Sequence, residues 1–164
     1  LATRIGVMNQ GEIVQVGTPT DIYEFPTTRF VADFIGSVNM FEGRIVEDEP
    51  DYVRVSSKEL DATFHVGHGV SAAPDATVWV ALRPEKIVLT RERPEGGGDN
   101  RVEGVVAEVA YRGDQSLYLV RLASGRQMRV TQPNMLRQGA GDRVRWDDRV
   151  WLSWDSSSPV VVTQ

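Results

Sequence analysis

His65 and His68, in "HVGH", are the only imidazoles in the sequence. A zinc-type site needs three or four donors at set spacing, and no third ligand is suggested beside them, so a plain surface role is favoured over a metal site. So few histidines leave no Ser-His-acid relay to assemble. With no cysteine present, Cys-His catalysis, thiolate metal sites and disulfides are excluded together. The glycine run Gly96 to Gly98 lacks the Lys and Ser/Thr of a phosphate loop, and no GxGxxG follows a strand; the run reads as a loop. Glu47-Asp48-Glu49 has the composition of a carboxylate cluster, yet neighbouring strand-end residues point in different directions, which favours a solvated turn.

Arg112, Arg121, Arg126 and Arg129 lie near Tyr111 and Tyr118, the ingredients of a nucleic-acid stacking platform. Strand parity separates them: the tyrosines fall on the apolar side and Arg112, Arg121 and Arg129 on the other. "ALRPEKIVL", Ala81 to Leu89, is the least ordinary local feature. Pro84 holds Arg83 in an extended conformation, and Arg83 and Glu85 are left either in a surface turn or paired with each other or with a neighbouring surface. In "VWLSWD", Trp151 shares a face with Ser153, and Trp154 with Leu152, so at least one indole belongs to the core or to an interface.

The elements that must position these residues divide into two groups. "RIGVMNQGEIVQVG" gives two β-prone runs around Asn9-Gln10-Gly11, a hairpin signal. Thr18, Pro19 and Asp21 form a helix start, and Pro26 stops that helix. Thr27 or Thr28 caps a second helix with an apolar stripe at Phe30, Val31, Phe34 and Ile35, ending at Gly36. From Phe41 the pattern is strand: 41–47, 51–57, 61–66, 77–82, 86–90, 102–112, 117–123, 126–132, 143–146, 149–154 and 159–163, with turns at Ser124-Gly125 and Gly139-Ala140-Gly141. Many short strands argue for a barrel or sandwich. Alternation places Val105, Ala107, Val109 and Tyr111 on one face, Tyr118, Val120 and Leu122 on one face, and Met128 with Val130 opposite Gln127 and Arg129. The polar stretch Arg91 to Asn100 reads as a loose surface loop rather than a link between two halves, since neither half would hold much core alone.

A net charge of −5 and a pI near 5.1 argue against nucleic acid and anionic membrane as partners. No apolar run approaches the roughly 18 residues of a membrane span, and Leu1 to Gly11 has neither the basic start nor the apolar core of a signal peptide.

Taken in order, these segments resemble a known family. "RIGVMNQGEIVQVGTPTDIYEFPTTRFVADFIG" is similar to the end of the nucleotide-binding domain of ABC importer ATPases. "SVNMFEG", "ALRPEKIVL" and "DRVWLSWDSSSPVVV" are similar to the TOBE regulatory domain that follows it. Asn39-Met40-Phe41-Glu42-Gly43 and the continuous "LRPEKI" lean towards importers of polyamines, putrescine or spermidine.

The resemblance implies a mainly β fold, an oligonucleotide-binding (OB)-type TOBE barrel with added strands, preceded by a β-hairpin and two short helices. It implies residues 1–36 as the end of an ATPase domain and 37–164 as the regulatory β domain. The family's phosphate loop, magnesium-binding acid, signature motif and switch histidine lie upstream of Leu1. The sequence is therefore expected to be a carboxy-terminal fragment with no catalytic, cofactor or metal residues, ATP and magnesium belonging to the longer parent. The implied roles are regulation and homodimer contact, beneath membrane-spanning permease subunits at the inner face of the plasma membrane, with no nucleic acid partner. Contacts are expected at Asn39, Phe41, Arg83, Glu85, Trp151 and Trp154. Phe30, Val31, Phe34 and Ile35, deprived of an ATPase core, are expected to form an exposed patch that packs on a second copy or on the β domain. The alternative functions are an oxyanion-binding TOBE domain, whose donors would centre on Arg83, and an OB-type nucleic-acid-binding domain.

Overall fold

The computed structural model describes residues 3–96, 98–134 and 143–164. The chain opens with a hairpin, β1 (Ile5–Asn9) and β2 (Glu12–Gly17), turned by Gln10 and Gly11, both at positive φ. Two short helices follow, α1 (Pro19–Glu24) and α2 (Arg29–Ile35). Beyond them lie β3 (Asn39–Asp48), β4 (Val53–Ser57), β5 (Ala62–Val66), β6 (Thr77–Leu82), a 3-10 turn (Pro84–Lys86), β7 (Val88–Thr90), β8 (Arg101–Arg112), β9 (Gln115–Leu122), β10 (Gln127–Pro133), β11 (Arg149–Ser153) and β12 (Val160–Val162). The expected barrel with added strands, behind a hairpin and two helices, is the fold that forms.

The strands make two antiparallel five-stranded sheets, ordered β12-β6-β3-β4-β5 and β7-β11-β8-β9-β10. The two orders are the same plan used twice. Each has a long first strand flanked by a meander on one side and a returning strand on the other. The outermost strands are exchanged: β7 follows β6 but pairs with β11, and β12 follows β11 but pairs with β6. The sequence carries the same repeat. Asn39-Met40-Phe41-Glu42-Gly43-Arg44-Ile45-Val46-Glu47 in β3 is matched by Asn100-Arg101-Val102-Glu103-Gly104-Val105-Val106-Ala107-Glu108 at β8. Both strands carry a bulge at the same step, between Ile45 and Glu47 and between Val106 and Glu108. Both set a glutamate opposite a tryptophan, Glu42 with Trp79 and Glu103 with Trp151.

The two halves share one core. Phe41, Val55, Phe64, Val80 and Leu82 from the first pack with Val106, Val120, Met128, Val150 and Leu152 from the second. Phe64 bridges Phe41 and Trp154, its ring centroid 5.2 and 5.7 Å from theirs. Among its described residues the Arg91–Asn100 stretch holds no helix or strand and is mostly exposed, a surface loop as expected that also joins the two halves. The exchange of strands gives the halves a common interior that neither has alone.

Departures from the expected pattern have local causes. In β8 Gly104 and Val106 are buried while Val105 and Ala107 are half-buried; the bulge after Val106 then shifts the phase, so that Val109 packs against the core, and Tyr111 is exposed. The strand expected at 143–146 does not form. Asp147 takes a φ of 71°, and the Asp148 carboxylate accepts from the Arg145 amide at 2.8 Å, closing a turn that leaves Trp146 exposed. In contrast, Val120 and Leu122 of β9 and Met128 and Val130 of β10 are buried, as their alternation indicates. The turn expected at Gly139-Ala140-Gly141, and Gly97 of the glycine run, lie outside the described residues.

The long first strands are also where the sheets come closest to their neighbours. A Cβ on Gly43 would sit 2.6 Å from the Ser56 carbonyl oxygen and 2.7 Å from Val55 Cγ1; one on Gly104 would sit 2.5 Å from Val120 Cγ1 and 2.9 Å from the Arg121 carbonyl oxygen. Gly43→Ala and Gly104→Ala are each expected to lower unfolding free energy by about 1–3 kcal/mol through overpacking. Gly98→Ala, with open space around it, serves as the neutral control in urea titrations.

Candidate functional site

Helix α1 forms because Thr18 Oγ1 accepts from the Asp21 amide at 3.1 Å and Pro19 pre-sets the first helical φ. In α2 the cap is Thr28, whose Oγ1 accepts from the Val31 amide at 3.2 Å. Val31 and Ile22 are buried against Val7, forming a small apolar cluster with Ile5 and Ile35 against it. A helix of two turns is marginal by itself, and its last carbonyls have no partner within the helix.

Arg83 supplies that partner. Its Nη1 donates to the carbonyl oxygens of Ala32 (2.9 Å), Gly36 (3.0 Å) and Ser37 (3.1 Å). Its guanidinium lies 4.4 Å from the Tyr23 ring centroid, with Nη2 directed to the Tyr23 carbonyl at 3.5 Å. Only 6% of Arg83 is exposed. The positive charge thus meets the negative end of α2, and Nη1 and Nη2 face backbone oxygens rather than a carboxylate. Pro84 and the 3-10 turn aim Arg83 there, its φ and ψ being −71° and 138°.

Around this centre the joint stays polar. The Tyr23 hydroxyl donates to the Glu85 carboxylate. Lys86 Nζ pairs with the Glu24 carboxylate at 3.3 Å. Arg29 places its guanidinium 3.6 Å from the Trp79 ring centroid, and its amide donates to the Gln164 carbonyl at 2.8 Å. Arg93 and Trp151 repeat the arginine-on-indole contact in the second half, at 5.5 Å.

Immediately after the joint, Asn39 ties the two sheets together. Its Nδ2 donates to the carbonyls of Leu82 (3.2 Å) and Arg129 (2.9 Å), and its Oδ1 accepts from the Arg129 amide at 2.9 Å. Asn100 does the same to His65, accepting from its amide at 2.9 Å and donating to its carbonyl at 2.8 Å. Arg126 braces the region. It pairs with Glu59 at 3.0 Å, donates to the Met40 carbonyl at 2.7 Å and lies 4.5 Å from the Phe41 ring centroid.

The expected contact residues divide. Asn39, Phe41, Arg83 and Trp154 are buried inside the chain, so the expectation that they meet a second copy is corrected: their partners are intramolecular. Glu85 is exposed and engaged by Tyr23, and Trp151 is half-buried beneath Arg93. The apolar stripe of α2 also splits. Val31 is buried and Ile35 half-buried, whereas Phe30 and Phe34 are exposed and stacked on each other at 5.6 Å.

Arg83, expected as the centre of an oxyanion site, directs its Nη1 to three backbone carbonyls. A separate cavity of about 290 Å³ is lined by Ser37, Arg112, Gln115, Ser116, Arg129 and Thr131, among others. His65 stands 3.7 Å from Asp99 and His68 accepts from the Val161 amide at 3.2 Å. Among the described residues no three His, Cys, Asp or Glu side chains converge on a metal position. Tyr118 packs against the core, away from exposed Arg121 and Arg129.

Burial, then the hydrogen bond to Glu85 and its negative charge, push the Tyr23 phenol from 10.0 up to about 12. Between those values the unfolded chain has released the proton and the folded chain keeps it, so stability falls as pH rises. The contribution is whole below pH 10 and disappears towards pH 12. The stability difference between wild type and Tyr23→Phe is therefore expected to be flat from pH 7 to 9.5 and to shrink above 10, as read by denaturant titration at each pH.

Residues 80–162 match the TOBE domain family model. Over 163 residues, 99% of this chain, the sequence is 44% identical to the putrescine transport ATP-binding protein PotG of Escherichia coli (strain K12), covering 43% of it. It is 37% identical over 169 residues to the spermidine/putrescine import ATP-binding protein PotA of Treponema pallidum (strain Nichols), covering 99% of this chain and 45% of that protein. The chain thus spans less than half the length of these relatives. In fold it is similar to the cytoplasmic molybdate-binding protein ModG with molybdate bound, at a TM-score of 0.63 and 10% identity, over 75% of this chain and 94% of that one. The matched segment takes in Arg83, both exchanged strands and every strand from β7 onward, and the chain belongs to the TOBE domain family.

Proposed function

We propose that this chain is the regulatory and dimerisation part of the ATP-binding subunit of an ABC importer for polyamines, putrescine or spermidine. The observation that carries this reading is the 44% identity to PotG, which runs through the hairpin and helix pair as well as the β domain. In this reading residues 1–36 complete an ATPase domain and residues 37–164 are the regulatory domain. Nucleotide, magnesium and hydrolysis belong to the rest of the longer protein, which works in the cytoplasm against membrane-spanning permease subunits. The regulatory domains keep two ATPase subunits associated. The polar joint at Arg83 supports a role in passing information, because it connects the two parts through directional contacts. The net charge of −5 speaks against nucleic acid as a partner.

A chimera tests this directly. The carboxy-terminal part of PotG that this chain matches is replaced by the chain, and putrescine uptake is measured in cells lacking PotG. Uptake within a few-fold of the unmodified subunit is expected. A chimera that accumulates normally and assembles with its permease but imports nothing would contradict the reading.

A second reading, an oxyanion-binding domain, is favoured by one observation. Arg112 and Arg129, neither ion-paired among the described residues, line the same cavity with Ser37, Ser116 and Thr131. Calorimetry with molybdate and sulfate is expected to show saturable heat that Arg112→Ala abolishes if this reading holds, and no heat with either anion if it does not.

A further inference from the structure

The helix pair and the β domain have separate apolar clusters. One holds Val7, Ile22 and Val31; the other runs from Phe41 to Val161. What joins them is the Arg83 fork on backbone carbonyls, Tyr23 on Glu85, Lys86 with Glu24, and Arg29 over Trp79. Arg83 has no counterpart in the second half. The register of β6 on β3 and of β11 on β8 makes Ser153 equivalent to Ala81, so the position of Arg83 corresponds to Asp155, which is exposed. The joint is a one-sided addition to a duplicated scaffold.

We propose that it is a releasable latch. Closed, Arg83 completes the last turn of α2 by binding the Ala32, Gly36 and Ser37 carbonyls. Open, the guanidinium withdraws into water, those carbonyls lose their donor and the last turn of α2 frays, while the β domain stays folded. Release rehydrates charged and polar groups and uncovers little apolar surface. It therefore responds to ionic strength and only weakly to denaturant. Order in α2 and the position of the 3-10 turn become linked quantities, and a contact that shifts either one shifts the other. The device operates whatever the importer carries, so its test is independent of the transport reading.

Amide hydrogen exchange on the whole chain tests the latch. In the wild type, amides 33–36 are expected to exchange through an opening well below the global one, faster at high salt and nearly flat in low urea. Arg83→Gln is expected to speed these amides by about tenfold or more while β6 and β9 amides keep wild-type rates. Arg83→Lys, which keeps the charge but not the fork, falls between. The proposal is overturned if amides 33–36 exchange only with the β core, or if Arg83→Gln accelerates helix and core equally. Should Arg83→Gln fail to fold, the salt and urea dependence of the wild type alone separates a local opening from a global one.

Discussion

Two buried primary amides hold this molecule together. An edge strand presents unpaired N–H and C=O groups, and a sheet must end somewhere without leaving them bare. Strands β5 and β10 are such edges. The side chain of Asn100 satisfies one, at His65, and that of Asn39 satisfies the other, at Arg129. An amide has the donor and acceptor of a peptide group in one plane, so each asparagine acts as a one-residue strand. Each stands at the start of a long first strand and closes the sheet of the opposite half.

Much else follows from that reciprocal closure. With each half sealing the other, the outer strands β7 and β12 can be exchanged and a single core can span both sheets. The bulges and buried glycines of β3 and β8 let the long strands bend and lie close to their neighbours. Asn39 also fixes where the chain enters the barrel, and so where α2 ends relative to β6. That placement brings three carbonyls within reach of one arginine. The duplicated barrel is a symmetric support, and Arg83 makes it asymmetric by seating the helix pair on one half only. The regulatory role proposed for the chain fits this arrangement, in which the barrel carries a small element through a polar joint.

Legibility in the sequence followed the range of each interaction. The helix cap at Thr18, the stop at Pro26 and the alternation of β9 and β10 are local, and residue types and spacing are enough to place them; the second cap is narrowed by spacing only to Thr27 or Thr28, and is Thr28. A bulge is nearly invisible to alternation, so a single phase fitted through β8 matches the core at Val109 and misses it at Gly104 and Val106, before the bulge. The acceptors of Arg83 are backbone oxygens on a segment more than forty residues away, and no side-chain pattern announces them. The asparagine pair was hidden differently. The Asn-x-(Phe/Val)-Glu-Gly repeat stands in the sequence at Asn39 and Asn100, but an isolated polar residue before a strand resembles an ordinary turn. Only the repetition marks it as structural. The expectation that Asn39, Phe41 and Trp154 face a second copy treats the interface between two halves of one chain as an interface between two chains, while Arg83 turns to the helix pair instead.

The claim that both halves form one cooperative unit closed by paired amides is tested most directly with Asn39→Ala and Asn100→Ala. Each variant would be unfolded in urea and followed by far-UV circular dichroism and tryptophan fluorescence in parallel. One coincident transition is expected in each, with both unfolding free energies lowered by comparable amounts, about 1–3 kcal/mol for the bonds left unmade. Two separated transitions, or one variant as stable as the wild type, would contradict it.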